Sequence, residues 1–313
     1  MRFTAQDEMV KSVVRDLYSP TEQEKEGVKR AYNDLQSALG EDIFRSGSFA
    51  RYTAIRPIHD LDVIYPTNDA ARDDPKTVLS NLKSDVEASD LCGMNNVQVQ
   101  SHSISLIYDT FNIDIVPAVR LHDDKDSVLL VPEVAHARSA AALEKYLRIN
   151  SKVVSWIKSD PKFYIRQAKL IDDSTNGNFR CSVRLMKAWK SVCKDVCGDD
   201  FKLKSFHIEQ EIATIYLGNP SASILDALIL AAQSIIQHIG FPHIVDVADD
   251  SMYVDEYTKD LNDCQMDIII KKLNQLVNVI NRYGNDDNIV DKIMNGDNNR
   301  IQVAKVKPLK PWC

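Results

Sequence analysis

Phe44-Arg45-Ser46-Gly47-Ser48-Phe49-Ala50-Arg51-Tyr52-Thr53-Ala54-Ile55-Arg56-Pro57-Ile58-His59-Asp60-Leu61-Asp62-Val63-Ile64-Tyr65 is the stretch that decides the fold. Gly47-Ser48 leaves a short strand at a turn where glycine lets the backbone approach a ligand and serine adds a hydroxyl to the exposed amides. That is a cradle for an anion. Asp60 and Asp62 follow on an apolar strand and, two residues apart, project from the same face. Leu61, Val63 and Tyr65 point to one side, Asp60, Asp62 and Ile64 to the other, so two charges begin a face that needs a partner for them.

With acidic residues at 45 of 313 positions, about six acidic-x-acidic triplets are expected by chance, and Asp124-x-Asp126 in a polar run is an ordinary one. A third acid separates Asp60 and Asp62 from such pairs. Asp114 sits between isoleucines in Phe111-Asn112-Ile113-Asp114-Ile115-Val116-Pro117, where a lone carboxylate is costly unless paired or metal-bound. Taken singly, Asp114 also reads as a surface residue of an edge strand. Three acids on neighbouring strands after a Gly-Ser turn form a hard-cation site, suited to two Mg²⁺ ions, or Mn²⁺ in their place, flanking a phosphoryl transfer.

Outward from this stretch, the N-terminal part begins with helix signals. Thr4-x-x-Asp7 precedes an apolar stripe at Met9, Val10, Val13, Val14 and Leu17, and Ser19-Pro20-Thr21-Glu22 reads as a capping box with proline at the first helical position. The second helix then runs for about 20 residues to Gly40. The hydrophobic period next changes from 3.6 to 2, with strands expected at Ile43 to Phe44, Leu61 to Tyr65, Val97 to Leu106, Thr110 to Val116 and Val128 to Val131. A helix is expected within Asp69 to Asp90 from Val78, Leu82 and Val86.

From Ser139 onward the helical period dominates: Ala142, Leu143, Tyr146 and Leu147 form a stripe that Val153 to Ile157 continues. Phe179 to Cys197, Ile208 to Leu217, Ser223 to Ile239 and Asp267 to Tyr283 complete the set. The expected fold class is α+β: residues 1–150 as a catalytic lobe with a mixed sheet and a long N-terminal helix, and 151–313 as an all-helical lobe. The last stretch, Gly284 to Cys313, rich first in Asn and Asp and then in Lys and Pro, has no assignable role.

Composition narrows the function classes. Thirty-eight basic against 45 acidic residues leave a net charge of −7, so no global basic field draws nucleic acid, and strong nucleic-acid binding is not expected. Apolar runs such as Ile224 to Ala232 are about half a membrane span. The start, Met1-Arg2-Phe3-Thr4-Ala5-Gln6-Asp7-Glu8, lacks the pattern of a signal peptide, and a cytoplasmic location is expected. Six scattered cysteines fit reduced thiols. Cys193 and Cys197 with His207 have the spacing to start a zinc site, but Val192, Cys193 and Val196 continue the apolar stripe of Val183, Met186 and Trp189. No histidine accompanies a serine or cysteine nucleophile motif, so serine or cysteine hydrolysis is not supported.

Gly-Ser, then Asp-x-Asp, then a third Asp on a later strand resembles the polymerase-β-like nucleotidyltransferase superfamily. Gly47 to Asp62, with Thr53-Ala54-Ile55-Arg56, is similar to the bacterial cGAS/DncV-like nucleotidyltransferases (CD-NTases). The resemblance extends to Arg184-Leu185-Met186-Lys187-Ala188-Trp189 and Lys204-Ser205-Phe206-His207-Ile208-Glu209, and more weakly to Trp156 with Asp160-Pro161 and to Asp246 through Tyr257. It covers roughly residues 5 to 260.

What the resemblance implies is a two-lobed enzyme with its site in the cleft between the lobes. Asp60, Asp62 and Asp114 would be both metal ligands and catalytic residues, and Gly47, Ser48, Lys187 and Ser205 would bind the triphosphate. Arg184 and Lys187, three apart on one helix, otherwise read as a solvated basic pair. Phe206 either stacks on a base or belongs to the core. Glu209 reads as structural. The product would be a cyclic di- or trinucleotide second messenger of antiphage defence, made from NTPs with ATP among them and sensed by an effector protein. The alternative reading is nucleotidyl transfer to an RNA 3′-end or a protein hydroxyl.

Overall fold

The structure is a computed structural model that describes residues 2–67, 75–89, 91–100, 102–120, 128–134 and 154–296. The expected stripe at Ala142 to Leu147 and the tail beyond residue 296 lie outside the described residues. The chain forms two compact units. One comprises Pro20–Lys169 with Val245–Tyr253, the other Met1–Ser19, Leu170–Ile244 and Val254–Cys313. These are not two consecutive stretches meeting at residue 150, because the first helix and the Val245–Tyr253 segment each pack away from their sequence neighbours.

The first unit is built on a mixed sheet. Its strands are β1 (Phe44–Arg45), β2 (Asp60–Thr67), β3 (Asn96–Val99), β4 (Ile104–Ile107), β5 (Asn112–Arg120), β6 (Leu129–Val134) and β7 (Val154–Ser159). The order is β1-β2-β5-β4-β3, with β6 pairing β5 and β7. β2 and β5 run parallel and every other pair is antiparallel. Among the helices, α1 (Asp7–Leu17) belongs to the second unit, whereas α2 (Glu22–Leu39), α3 (Gly47–Ala50) and α4 (Pro75–Glu87) belong to the sheet. Val28, Ala31 and Leu35 of α2, with Leu79, Leu82 and Val86 of α4, pack with Leu61, Val63, Ile104, Leu106, Ile113 and Ile115 into one core. The sheet therefore has one face closed by helices, and its acidic positions alternate onto the opposite face.

Several boundaries differ from those read in the sequence. Val97 to Leu106 is two strands of a hairpin, because Gln100 N donates to Ser103 O at 2.8 Å and turns the chain. β2 and β5 run through Pro66 and Pro117. Pro117 falls between the residues of β5 that pair with β4 and those that pair with β6, where a missing N–H costs no ladder bond. Val154–Ser159 is a strand rather than a continued helix, with Trp156 opposite Pro132 in the β6 register; its β-branched residues suit either state, and pairing decides.

The cap of α2 is Thr21, not Ser19: Thr21 Oγ1 accepts from Glu24 N at 3.2 Å while Glu24 Oε2 accepts from Thr21 N at 2.7 Å. Glu24 Oε1 also accepts from Ile58 N at 3.2 Å, fastening the loop that leads into Asp60.

The second unit is helical: α1, α6 (Asn178–Cys197), α7 (Ser205–Gly218), α8 (Ile224–His238), α9 (Asp263–Tyr283) and α10 (Ile289–Asn295), with α5 (Pro161–Ser174) divided between the units. Thr4 makes no side-chain cap with Asp7. Asp7 is buried, and its carboxylate accepts from Ile224 N at the start of α8 and from Asn178 Nδ2, each at 2.9 Å. Burial raises the Asp7 pKa above that of an ordinary aspartate. Among the described residues, no helix is long and apolar enough to cross a membrane.

Candidate active site

Strand register places the three acids. Asp62 and Asp114 are direct partners across the parallel β2–β5 pair, and Asp60, two residues before Asp62, shares their face opposite Asn112. Their neighbours Leu61, Val63, Ile113 and Ile115 are all within the core on the other side. Asp60 is exposed, and Asp62 and Asp114 are half-buried. The Asp114 pKa is raised, chiefly by burial; the Asp60 charge adds to the shift, against the Ser105 hydroxyl and His102, which favour the carboxylate.

Ser46 N donates to Asp62 O at 2.8 Å, tying the Gly-Ser segment to β2. Instead of a simple turn, Gly47–Ala50 makes one helical turn, and Thr53 N returns to Ser48 O at 2.9 Å. Gly47 has φ +62°, and a Cβ there would overlap the Asp62 carboxylate. Both the backbone conformation and the close approach require glycine. Ser48 is half-buried beside it.

Oxygen donors on one face, with mutual repulsion between Asp60 and Asp114, fit a hard divalent cation. Among the described residues, however, no three acidic, histidine or cysteine side chains are drawn together as a closed ligand group. Strand register alone aligns the three positions. No group of this kind forms at Cys193, Cys197 and His207 either: Cys193 is buried with its thiol pKa pushed up to about 12 by burial, and His207 Nδ1 lies 3.0 Å from the Tyr257 hydroxyl.

The residues expected from the helical part lie on α6 and at the start of α7. Lys187 is 5% exposed, and its Nζ donates to Glu209 Oε2 at 2.8 Å. Glu209, read as structural, is fully buried as that partner. Arg184 is half-buried, and burial lowers its pKa. Ser205 is the first residue of α7, and its Oγ accepts from Lys190 Nζ at 2.8 Å; Phe206 is half-buried behind it. Lys190 escaped the sequence reading, although it stands three residues beyond Lys187. Tyr257, the last residue of the weaker Asp246-to-Tyr257 match, stands against this segment: its hydroxyl accepts from Lys204 N at 3.0 Å, and Lys204 Nζ lies 4.5 Å from its ring centroid.

A sheet with Asp-x-Asp and a third Asp aligned on adjacent parallel strands, entered through a Gly-Ser helical turn, defines a nucleotidyltransferase-fold protein. Residues 6–142 match the family model described as the Second Messenger Oligonucleotide or Dinucleotide Synthetase domain (SMODS). A cyclic AMP-AMP-AMP synthase from an Acinetobacter species is 24% identical over 155 residues, which take in 47% of this chain and 38% of that relative. The chain thus aligns with well under half the length of that curated relative.

Among solved structures, E. coli MS115-1 CdnC with ATP is 17% identical, with a TM-score of 0.68 over 93% of this chain and 98% of the other. The E. coli MS115-1 CdnC:HORMA-deltaN complex is 18% identical with a TM-score of 0.67, over 93% and 97%. Bradyrhizobium diazoefficiens CdnG with GTP is 13% identical with a TM-score of 0.66, over 92% and 94%. By its domain match over residues 6–142 and by its fold, the chain is similar to the CD-NTases.

Proposed function

We propose that this protein is a cytoplasmic cyclic oligonucleotide synthase, joining NTPs into a cyclic di- or trinucleotide with release of pyrophosphate in antiphage signalling. The observation that carries the reading is the alignment of Asp60, Asp62 and Asp114 on one sheet face. The SMODS match and the activity in the Acinetobacter relative's name support the cyclic product. ATP in the CdnC structure and GTP in the CdnG structure support nucleoside triphosphates as substrates.

Asp60 and Asp62 would hold two Mg²⁺ or Mn²⁺ ions, with Asp114 chiefly on one of them. Such ions, when bound, stabilise charge on the attacking and leaving oxygens of phosphoryl transfer. Gly47 and Ser48 offer amides and a hydroxyl to the donor triphosphate, and Lys187 and Ser205 are assigned to the same task from the helical unit, with Arg184 beside them and Phe206 toward the base. The 2′- or 3′-hydroxyl oxygen of an acceptor nucleotide bonds to the α-phosphorus, the bond to pyrophosphate breaks and the hydroxyl proton passes to solvent. A second transfer within the linear product closes the ring. An effector protein would sense that ring. The HORMA complex of E. coli CdnC supports a protein regulator here as well.

The test is purified protein with Mg²⁺ or Mn²⁺ and all four labelled NTPs, followed by phosphatase and mass spectrometry. Phosphatase-resistant oligonucleotides are expected, abolished by Asp60→Asn with Asp62→Asn and retained in Asp124→Asn. Products formed only when tRNA or another protein is added would overturn the reading in favour of transfer to a macromolecule.

A further inference from the structure

β4 lies beside β5 and puts Ser105 directly opposite Asp114. Ser105 is 1% exposed, and its Oγ has no hydrogen-bond partner even though it lies close enough to favour the Asp114 carboxylate. A buried hydroxyl left in that state costs stability, and packing alone would be served by alanine. At the turn of the same hairpin, Gln100 Nε2 donates to Asp114 Oδ1 at 3.5 Å. Ser103 Oγ donates to Gln100 Oε1 at 3.3 Å and Gln100 N to Ser103 O at 2.8 Å, so the Gln100 amide is itself held. Two neutral donors from one hairpin therefore face the third carboxylate.

We propose that Ser105 and Gln100 are positioning residues for Asp114, fixing its carboxylate on the face it shares with Asp60 and Asp62. Of the three acids, Asp114 most needs such help. Asp60 and Asp62 share one strand, whereas Asp114 stands alone on its own, and each carboxylate repels the others as they converge. A hydrogen-bond donor on Asp114 delocalises its charge without neutralising it and limits rotation about its side-chain bonds. The Ser105 hydroxyl is available for this because nothing else holds it. The inference rests on the proposed role of the three acids.

The experiment compares Ser105→Ala, Gln100→Leu and Asp114→Asn in the full chain. It measures Mn²⁺ affinity by isothermal titration calorimetry without nucleotide, thermal stability, and the kcat and KM of product formation. Ser105→Ala is expected to bind Mn²⁺ about tenfold more weakly, to lose kcat with KM for NTP nearly unchanged, and to keep or raise the melting temperature. A merely structural serine would lower the melting temperature and leave Mn²⁺ affinity alone. Gln100→Leu should weaken Mn²⁺ binding in the same direction.

If Asp114→Asn loses Mn²⁺ affinity and activity while Ser105→Ala and Gln100→Leu match the parent, the positioning role is wrong and the acid site stands. If Asp114→Asn also matches the parent, the reading of the acid site itself fails.

Discussion

Lys187 Nζ and Glu209 Oε2 form a 2.8 Å ion pair between α6 and α7, with side chains 6% and 0% exposed. Removing one partner leaves the other charge buried. Lys187→Met is expected to destabilise the protein by about 3 kcal/mol or more, and Lys187→Met with Glu209→Leu to recover a large part of that loss. Urea denaturation of the two variants and the parent measures both; a double variant no better than the single would show that the pair is not coupled.

Gly47→Ala tests the approach of the anion cradle to Asp62. The added methyl meets the Asp62 carboxylate, and alanine resists φ +62°. Displacing Asp62 from its register with Asp114 should lower product formation by roughly 100-fold. A neighbouring Ser48→Ala, which removes only a hydroxyl, should act mainly on KM for NTP. Equal activity in Gly47→Ala and the parent would show that the close approach is not needed.

Glu24 joins two tasks, capping α2 and holding Ile58 N ahead of Asp60. Glu24→Ala should cost about 1–2 kcal/mol and also reduce kcat, whereas Thr21→Ala should cost stability alone. Chemical denaturation and steady-state rates separate the two; the same kcat in both variants would remove the loop-anchoring role.

Asp7 gives a pH-dependent prediction. Burial raises its pKa in the folded chain above 3.8, so the folded state binds its proton more tightly than the unfolded one. The contribution to stability is full below the unfolded pKa and is lost as pH rises through the raised value. Asp7→Asn does not titrate, so the stability of the parent relative to Asp7→Asn should fall between about pH 3.5 and about pH 7. Denaturation midpoints at the two pH values measure this, and a difference that stays constant or moves the other way would count against it.

Local pattern made much of this protein readable. The switch from a 3.6-residue to a 2-residue period marked the sheet, and alternation alone put Asp60 and Asp62 on one face, since both depend only on backbone geometry. Helices with strong stripes, such as Phe179 to Cys197, could form only one way. Cap positions were less legible: Ser19 and Thr21 both precede an acid three residues later, and the choice of Thr21 comes with the tie from Glu24 to Ile58.

What the sequence by itself determined, then, is which faces are apolar and which residues carry charge. Tertiary structure alone decided which strands became neighbours: that Asp114 pairs with Asp62, that Ser105 and Gln100 stand against Asp114, and that Val154–Ser159 joins β6 as a strand. It also decided that Lys187 is matched by Glu209 and Lys190 by Ser205. The physical reason is range. Periodicity and capping act over a few residues, whereas strand register and buried charge pairing are fixed by the packing of segments far apart in the chain, where many alternatives are locally equivalent.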